Sequence, residues 1–416
     1  MKVICSLFSA VLFAITTSAL SYEIGKKAVK NESAPTFDTD KLGIVGIEWE
    51  RNHEKMTVLA LQCLAEANIN ETEITNMPNE CNSQISENNN IDIYSSPNKY
   101  PEAIRDYYQL VKSIRWSDDP TRQVQNKDRT AAKFAATIKR VCNRRLDDDP
   151  DNKIDITDDG LLCASHLGEL QFLHSMASAN GIPSEKTLNK VIEWSNFAFN
   201  LSLGSSDLSQ PYCDHWSSGE YPNIEPALGV DNVRAKGWCE ERPISFWSRL
   251  FNTELWNGKQ KTFKGFSVAT TFNLACDGMF ISASCTVIEN EDEVRMAALG
   301  SVLHLIQDSY SKSHTDRGAP GVSPSVKCDP VKAFRSYKDQ NTQIHTKSDK
   351  WPSFDSNCRN REEGNTVDPI TASAQIIWLH ANPKTTNTTV TTLINSVYGE
   401  VPKGVLSTAG EGYSAE

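Results

Sequence analysis

Three side chains in one short stretch carry the strongest chemical signal in this sequence. The segment Ala298-Leu-Gly-Ser-Val-Leu-His304-Leu-Ile-Gln-Asp308-Ser-Tyr-Ser-Lys-Ser-His314 places a histidine and an aspartate four residues apart. On a helix, that spacing projects both from one face, so an imidazole nitrogen and a carboxylate oxygen can share one cation. Taken alone, such a pair serves equally well as a surface ion pair. His314 follows where the helix can end and the chain turn back, and the pair is set among apolar residues. Both features shift the reading to ligation. Mixed His and Asp donors suit zinc, with positions left open for water. A four-cysteine zinc knot is excluded, because no CxxC pair occurs in the chain.

The elements that must position these residues read as helices. The strongest helical pattern covers 291–310, opened by Glu291, Asp292 and Glu293, whose charges complement the helix dipole. Behind His53, the residues Met56, Leu59, Ala60, Cys63 and Leu64 recur at helical spacing. The same periodicity predicts helices over 101–114, 130–141, 161–179, 184–199 and 371–380. The Asn-, Ser- and Pro-rich stretch 80–101 and the acidic run Asp147-Asp148-Asp149-Pro150-Asp151 read as loops. Between 202 and 285 the chain carries many aromatics, glycines and cysteines with no clean period. That predicts an inserted, disulfide-held region. With neither repeats nor dominant strand alternation, the expected fold class is all-α with one irregular insertion.

The string LeuGlySerValLeuHisLeuIleGlnAsp followed by SerTyrSerLysSerHis resembles the signature of the zinc-dependent phospholipase C family, a superfamily shared with secreted zinc single-strand nucleases. Its core motif of His, three residues, Asp, five residues, His is complete at 304, 308 and 314. The resemblance implies an all-helical domain holding two or three Zn2+ ions through ligands from several helices. It also implies further matches. Asn52-His53 before an apolar run resembles the family's N-terminal histidine helix, and His345-Thr-Lys-Ser-Asp349 its downstream pair. Arg115-Trp116-Ser117-Asp118-Asp119-Pro120 stands where the family has a ligand aspartate, with Trp-x-Asp favouring Asp118. His166 and His174 stand where one more histidine is expected. Eight residues apart on one helix, their directions differ by about 80°. His166 is expected as the ligand, with His174 behind it or in the core. The implied ligand set is therefore His53, Asp118, His166, His304, Asp308, His314, His345 and Asp349, with Asp118 or Asp119 as general base. His215 and His380 match nothing in the family and read as structural or surface residues.

What the resemblance implies chemically is hydrolysis of a phosphatidylcholine-like phospholipid to diacylglycerol and phosphorylated head group, with single-strand nuclease activity as the alternative. The aromatics Trp216, Trp238, Phe246, Trp247 and Trp256 then serve either as core or as contacts to lipid. Two departures stand out. Relatives bind one zinc through an N-terminal tryptophan, a part Trp49 takes only after propeptide removal, with Glu48 or Glu50 as substitutes. Asp349 is the nuclease-type residue where the phospholipases have Glu.

The remaining sequence sets the context. Lys2, an apolar run and the small residues near Ala19 to Ser21 read as a signal peptide over 1–21, too short for a membrane anchor. A linker or propeptide over 22–44, a catalytic domain over 45–380 with its insertion at 202–285, and a Thr-rich tail over 381–416 complete the expected organisation. Ten cysteines beyond Cys5 suit disulfides in an exported protein, secreted or periplasmic. A third, non-enzymatic reading is a disulfide-rich protein with structural zinc. The net charge of −11 argues against bulk attraction to nucleic acid. The expected partner is phospholipid at a membrane surface, without a transmembrane anchor.

Overall fold

A computed structural model describes residues 52–69, 72–81, 105–120, 142, 160–243, 262–263, 265–279, 282–287, 290–318, 329–337, 340–341, 344–345, 367–382 and 387–414. The described chain is mostly helical, as expected. Helix α1 spans Asn52–Ala67. A winding segment follows, in which a short α2 (Leu110–Ser113) lies between 3-10 turns at Asp106–Gln109 and Ile114–Trp116. Next come α3 (Gly160–Leu167), α4 (Ser184–Ser202), and the short helices α5 (Tyr212–His215), α6 (Val230–Ala235) and α7 (Thr270–Asn273). Helices α8 (Glu291–Asp308), α9 (Pro369–Ala381) and α10 (Asn387–Tyr398) complete the set.

Helix α8 is the axis on which the others pack. Its start is fixed locally: the Asn290 side chain accepts hydrogen bonds from the backbone N–H groups of Asp292 and Glu293, and the acidic first turn faces the dipole. From Ala297 to Asp308 every residue is buried, because α4, α9, α1 and the α2 segment surround it. A helix covered on all sides must satisfy any polar side chain internally. His304, Gln307 and Asp308 are such side chains. Helix α9 is built the same way, with Asp368 as N-cap and Pro369 in its first turn, and it too is buried almost throughout.

Three short antiparallel pairs decorate the helices: β1 (Arg242–Pro243) with β2 (Thr262–Phe263), β3 (Leu274–Met279) with β4 (Ser282–Val287), and β5 (Thr315–Arg317) with β6 (Val331–Phe334). The last pair matters for the site, since it starts one residue after His314 and leads the chain toward His345. In the β3–β4 pair the register sets Cys276 opposite Cys285. Disulfides join Cys63 to Cys81, Cys142 to Cys163 and Cys213 to Cys239. Closing loops of this size contributes about 3 kcal/mol each. Among the described residues no helix is long and apolar enough to cross a membrane.

Several expectations change in detail. The helix expected over 161–179 breaks after Leu167, and Gln171–His174 forms a separate 3-10 turn. Glycine at 168 permits that helix end: Gly168 N and Leu170 N both donate to Ala164 O, and an added Cβ would lie 2.8 Å from the Ala164 backbone. The insertion is less irregular than expected, holding α5, α6, α7 and the hairpins. The Thr-rich tail also contains α10, whose Val390, Ile394, Val397 and Tyr398 are buried against the rest of the chain. The expected helix over 130–141, the acidic run at 147–151, the signal peptide and the linker lie outside the described residues.

Candidate metal centre

Six of the eight histidines and two aspartates converge from seven segments of the chain into one buried cluster. His53 comes from the start of α1 and Asp118 from just beyond the Ile114–Trp116 turn. His166 lies in the last turn of α3 and His174 at the end of the Gln171–His174 turn. His304 and Asp308 project from α8, His314 precedes β5, and His345 lies beyond β6. All eight side chains are buried, with His304, Asp308, His314 and His345 fully so.

The geometry within the cluster is tight. Asp308 is its hub: Oδ1 lies 3.3 Å from His53 Nε2, and Oδ2 lies 2.9 Å from His174 Nδ1, 3.1 Å from His304 Nε2 and 3.5 Å from His314 Nδ1. Asp118 Oδ1 lies 3.5 Å from His304 Nε2 and 3.9 Å from His174 Nδ1. The rings of His53 and His304 stack with centroids 3.8 Å apart, and those of His314 and His345 at 5.2 Å. His166 approaches His174 with centroids 5.0 Å apart. Two sets of donor atoms, His53/His304/Asp308 and Asp118/His166/His174, each fit within 4.8 Å and can hold an ion.

The outer partners of the histidines decide which nitrogen faces inward. Ser373 Oγ donates to Pro369 O, so it must accept from Gln307 Nε2. That turns Gln307 Oε1 toward His53, and His53 Nδ1–H donates to it at 2.7 Å. His304 Nδ1–H donates to Ile114 O at 2.9 Å and His314 Nδ1–H to His174 O at 2.7 Å. His166 Nδ1 meets Leu162 O at 3.0 Å, and His345 Nδ1 bonds Gln340 Oε1. A carbonyl oxygen only accepts, so five imidazoles carry their proton on Nδ1 and present Nε2 for coordination. An outer acceptor on one nitrogen and a cation on the other is how metal-binding histidines are held.

Electrostatics points the same way. Burial, reinforced by His174, pushes the His166 imidazole down to about 3. Burial pushes His174 and His304 down to about 4. These rings are neutral at pH 7, so His304 turns a lone pair, not a proton, toward two carboxylates. Burial alone would raise the Asp308 carboxyl, but His314, His304 and the hydrogen bond from His174 outweigh it and hold the group well below the usual carboxylate range. Lone pairs facing carboxylate oxygens repel unless a cation lies between them. Ligand atoms about 2.0–2.1 Å from a tetrahedral ion are about 3.3 Å apart, and the Nε2-to-carboxylate spacings here, 3.1, 3.3 and 3.5 Å, bracket that value. The donor set fits a small divalent cation.

Neither a family model, nor a curated protein, nor a solved structure matches this chain. The site therefore rests on its own geometry.

Of the residues expected from the sequence, His53, Asp118, His166, His304, Asp308, His314 and His345 are brought together. Asp119 is equally buried, but only Asp118 joins the donor sets. Asp349, Trp49, Glu48, Glu50, Phe246, Trp247 and Trp256 lie outside the described residues. His174, expected behind His166, is instead a full member. The break at Gly168 lets both rings reach the cluster, which one continuous helix would not. Directly after it, Ser175 adopts φ 52°, unusual for a residue with a Cβ, and its Oγ donates to Leu305 O at 2.6 Å. That bond reverses the chain against α8 and holds His174 over Asp308. His215 packs among Trp216, Phe197 and Tyr221, and His380 meets the Tyr107 hydroxyl, both away from the cluster. Trp216 and Trp238 are core residues.

Gln307 and Gln340 escaped sequence reading, although a buried glutamine beside Asp308 in the motif was a signal for the first. Gly300 has a specific task. A Cβ there would lie 2.7 Å from the Ser113 backbone, so glycine lets α8 approach closely enough for Ile114 O to reach His304. A small cavity with room for about one water molecule opens beside His166, His174 and His345, bordered by Gln171, Met176 and Tyr337.

Proposed function

We propose that this chain is an exported zinc-dependent phosphodiester hydrolase, and within that class a phospholipase C. The observation that carries the reading is the convergence of six buried histidines and two buried aspartates, six of these residues forming two donor sets that could each hold an ion. Structural zinc sites use four closed ligands, whereas two neighbouring sets of three donors suit more than one ion with positions left for water and substrate. Bound zinc there supplies Lewis acidity toward phosphate oxygens and water acidic enough to attack near neutral pH. The chain's own residues supply the rest. The outer acceptors Gln307, Ile114 O, His174 O and Gln340 hold the rings in one tautomer, so no reorganisation accompanies binding. In this reading Asp118, buried beside His304 and His174, accepts a proton from the attacking water.

A lipid diester is favoured over nucleic acid because a net charge of −11 repels an extended polyanion, while a single small diester needs only the local cations. The resemblance of the 299–314 string to zinc-dependent phospholipases C agrees, and the disulfides fit an oxidising compartment. The test is metal analysis of the purified protein together with phosphatidylcholine hydrolysis, compared with His304→Ala. The expected result is at least two zinc ions per chain, phosphocholine release, and a loss of more than about 100-fold in the variant. The control His380→Ala keeps its activity. Release of nucleotides from single-stranded DNA without phosphocholine would transfer the assignment to the nuclease branch. Unfolding on metal removal with no diester ever cleaved would leave a structural zinc protein.

A further inference from the structure

We infer that Gln340 is a positioning residue of the metal centre, through which the C-terminal segment 405–414 sets the orientation of His345. The inference rests on the metal-centre reading above but not on which diester is cleaved.

Gln340 lies at a junction of three chain segments. Its Nε2 donates to Ser313 O and to Ala409 O, each at 2.8 Å, and its Oε1 accepts from His345 Nδ1. Using both amide hydrogens on carbonyls leaves only the oxygen to face the imidazole. The amide is thus locked in one orientation, which fixes the His345 tautomer with Nε2 unprotonated and the ring stacked on His314. The same side chain also holds the backbone of Ser313, the residue before His314.

The C-terminal segment is stitched to both sides of the site. On one side, Ser184 N donates to Val405 O, Gly181 N to Ser407 O and Ser407 N to Ile182 O, all on the strand of chain that follows His174. On the other, Ser336 N donates to Thr408 O and Asn341 N to Tyr413 O, with Gln340 bridged to Ser414. The Arg335 guanidinium stacks over the Tyr413 ring at 4.5 Å. The segment is therefore a clasp spanning the loop that follows His174 and the segment that leads to His345. Gln340 is the point where that clasp touches a ligand-bearing imidazole through one intermediary.

The test uses full-length Gln340→Leu and Gln340→Glu, stripped of metal and titrated with zinc by calorimetry and with cobalt by visible absorption. Thermal melts of the metal-free forms run in parallel. Leucine removes both the acceptor and the donors, and one ion per chain is expected to bind about 10–100-fold more weakly while the others remain. Glutamate keeps the acceptor for His345 Nδ1, so affinity is expected within about threefold of the parent even where the melt falls. Equal losses in the two variants, tracking their metal-free melting temperatures, would assign Gln340 a purely structural role and overturn the inference. So would a leucine variant that binds like the parent. If the leucine variant fails to fold, the glutamate variant decides: a loss of tenfold or more refutes the inference. A parent protein that binds no metal instead refutes the metal centre itself.

Discussion

Replacing Asp308 by asparagine tests the hub of the cluster with almost no change of shape. In the parent, its two oxygens lie within 3.5 Å of four imidazoles, and it belongs to one donor set while touching His174 of the other. Asparagine keeps the packing but removes the anionic ligand. With free metal a thousandfold above Kd, each bound ion stabilises the fold by about 4 kcal/mol. An unfolding entropy of about 2.1 cal/mol/K per residue makes that about 5 °C per ion for a chain of 416 residues. Chelator should therefore lower the parent's Tm by about 10 °C if two ions are held. In Asp308→Asn the chelator shift should shrink to a few degrees or vanish. The metal-free proteins should differ less: Asp308 accepts a hydrogen bond from His174 and its carboxyl is held well below the usual range, so the anion favours the fold and the metal-free variant is expected to melt somewhat below the metal-free parent. The assay is scanning calorimetry at pH 7.5 with zinc and with excess chelator. A parent insensitive to chelator, or a variant as sensitive as the parent, would refute the reasoning.

Two further outcomes follow from the same geometry. His166, His174 and His304 are held at about 3, 4 and 4, below the about 6.5 of an unfolded chain, so the unfolded state binds more protons in that interval. The metal-free protein should keep full stability above pH 6.5 and lose it progressively toward pH 4; urea midpoints that stay flat across that range would contradict this. Gly300→Ala forces its new methyl against the Ser113 backbone, so we expect about 1–3 kcal/mol of destabilisation by urea unfolding and weaker zinc binding as Ile114 O is pushed from His304.

Much of the fold was legible locally. Helix α8 announced itself by its acidic first turn, and α1, α4 and α9 by apolar spacing, because those signals act within a few residues. The failures were at places that apolar spacing does not register. The helix expected over 161–179 breaks at Gly168, and the Thr-rich stretch after α9 contains a buried helix whose tyrosine hydroxyl meets Ser175 and Leu305 O. The first has a local cause in a glycine that ends the helix; the second depends on packing against distant segments.

For the site, the division is sharper. Residue type and spacing by themselves determined that His304, Asp308 and His314 could act together, since four residues on a helix bring two side chains to one face. The distant histidines were pointed to only by the resemblance to the zinc-dependent phospholipase C signature, not by their own spacing. Tertiary structure alone decided that His174 joins them, that Asp118 rather than Asp119 enters a donor set, and that five imidazoles keep their proton on Nδ1 while His174 turns Nδ1 to Asp308. Those choices depend on which carbonyl or amide lies behind each ring. Such partners are often more than a hundred residues away and are set by how whole helices pack.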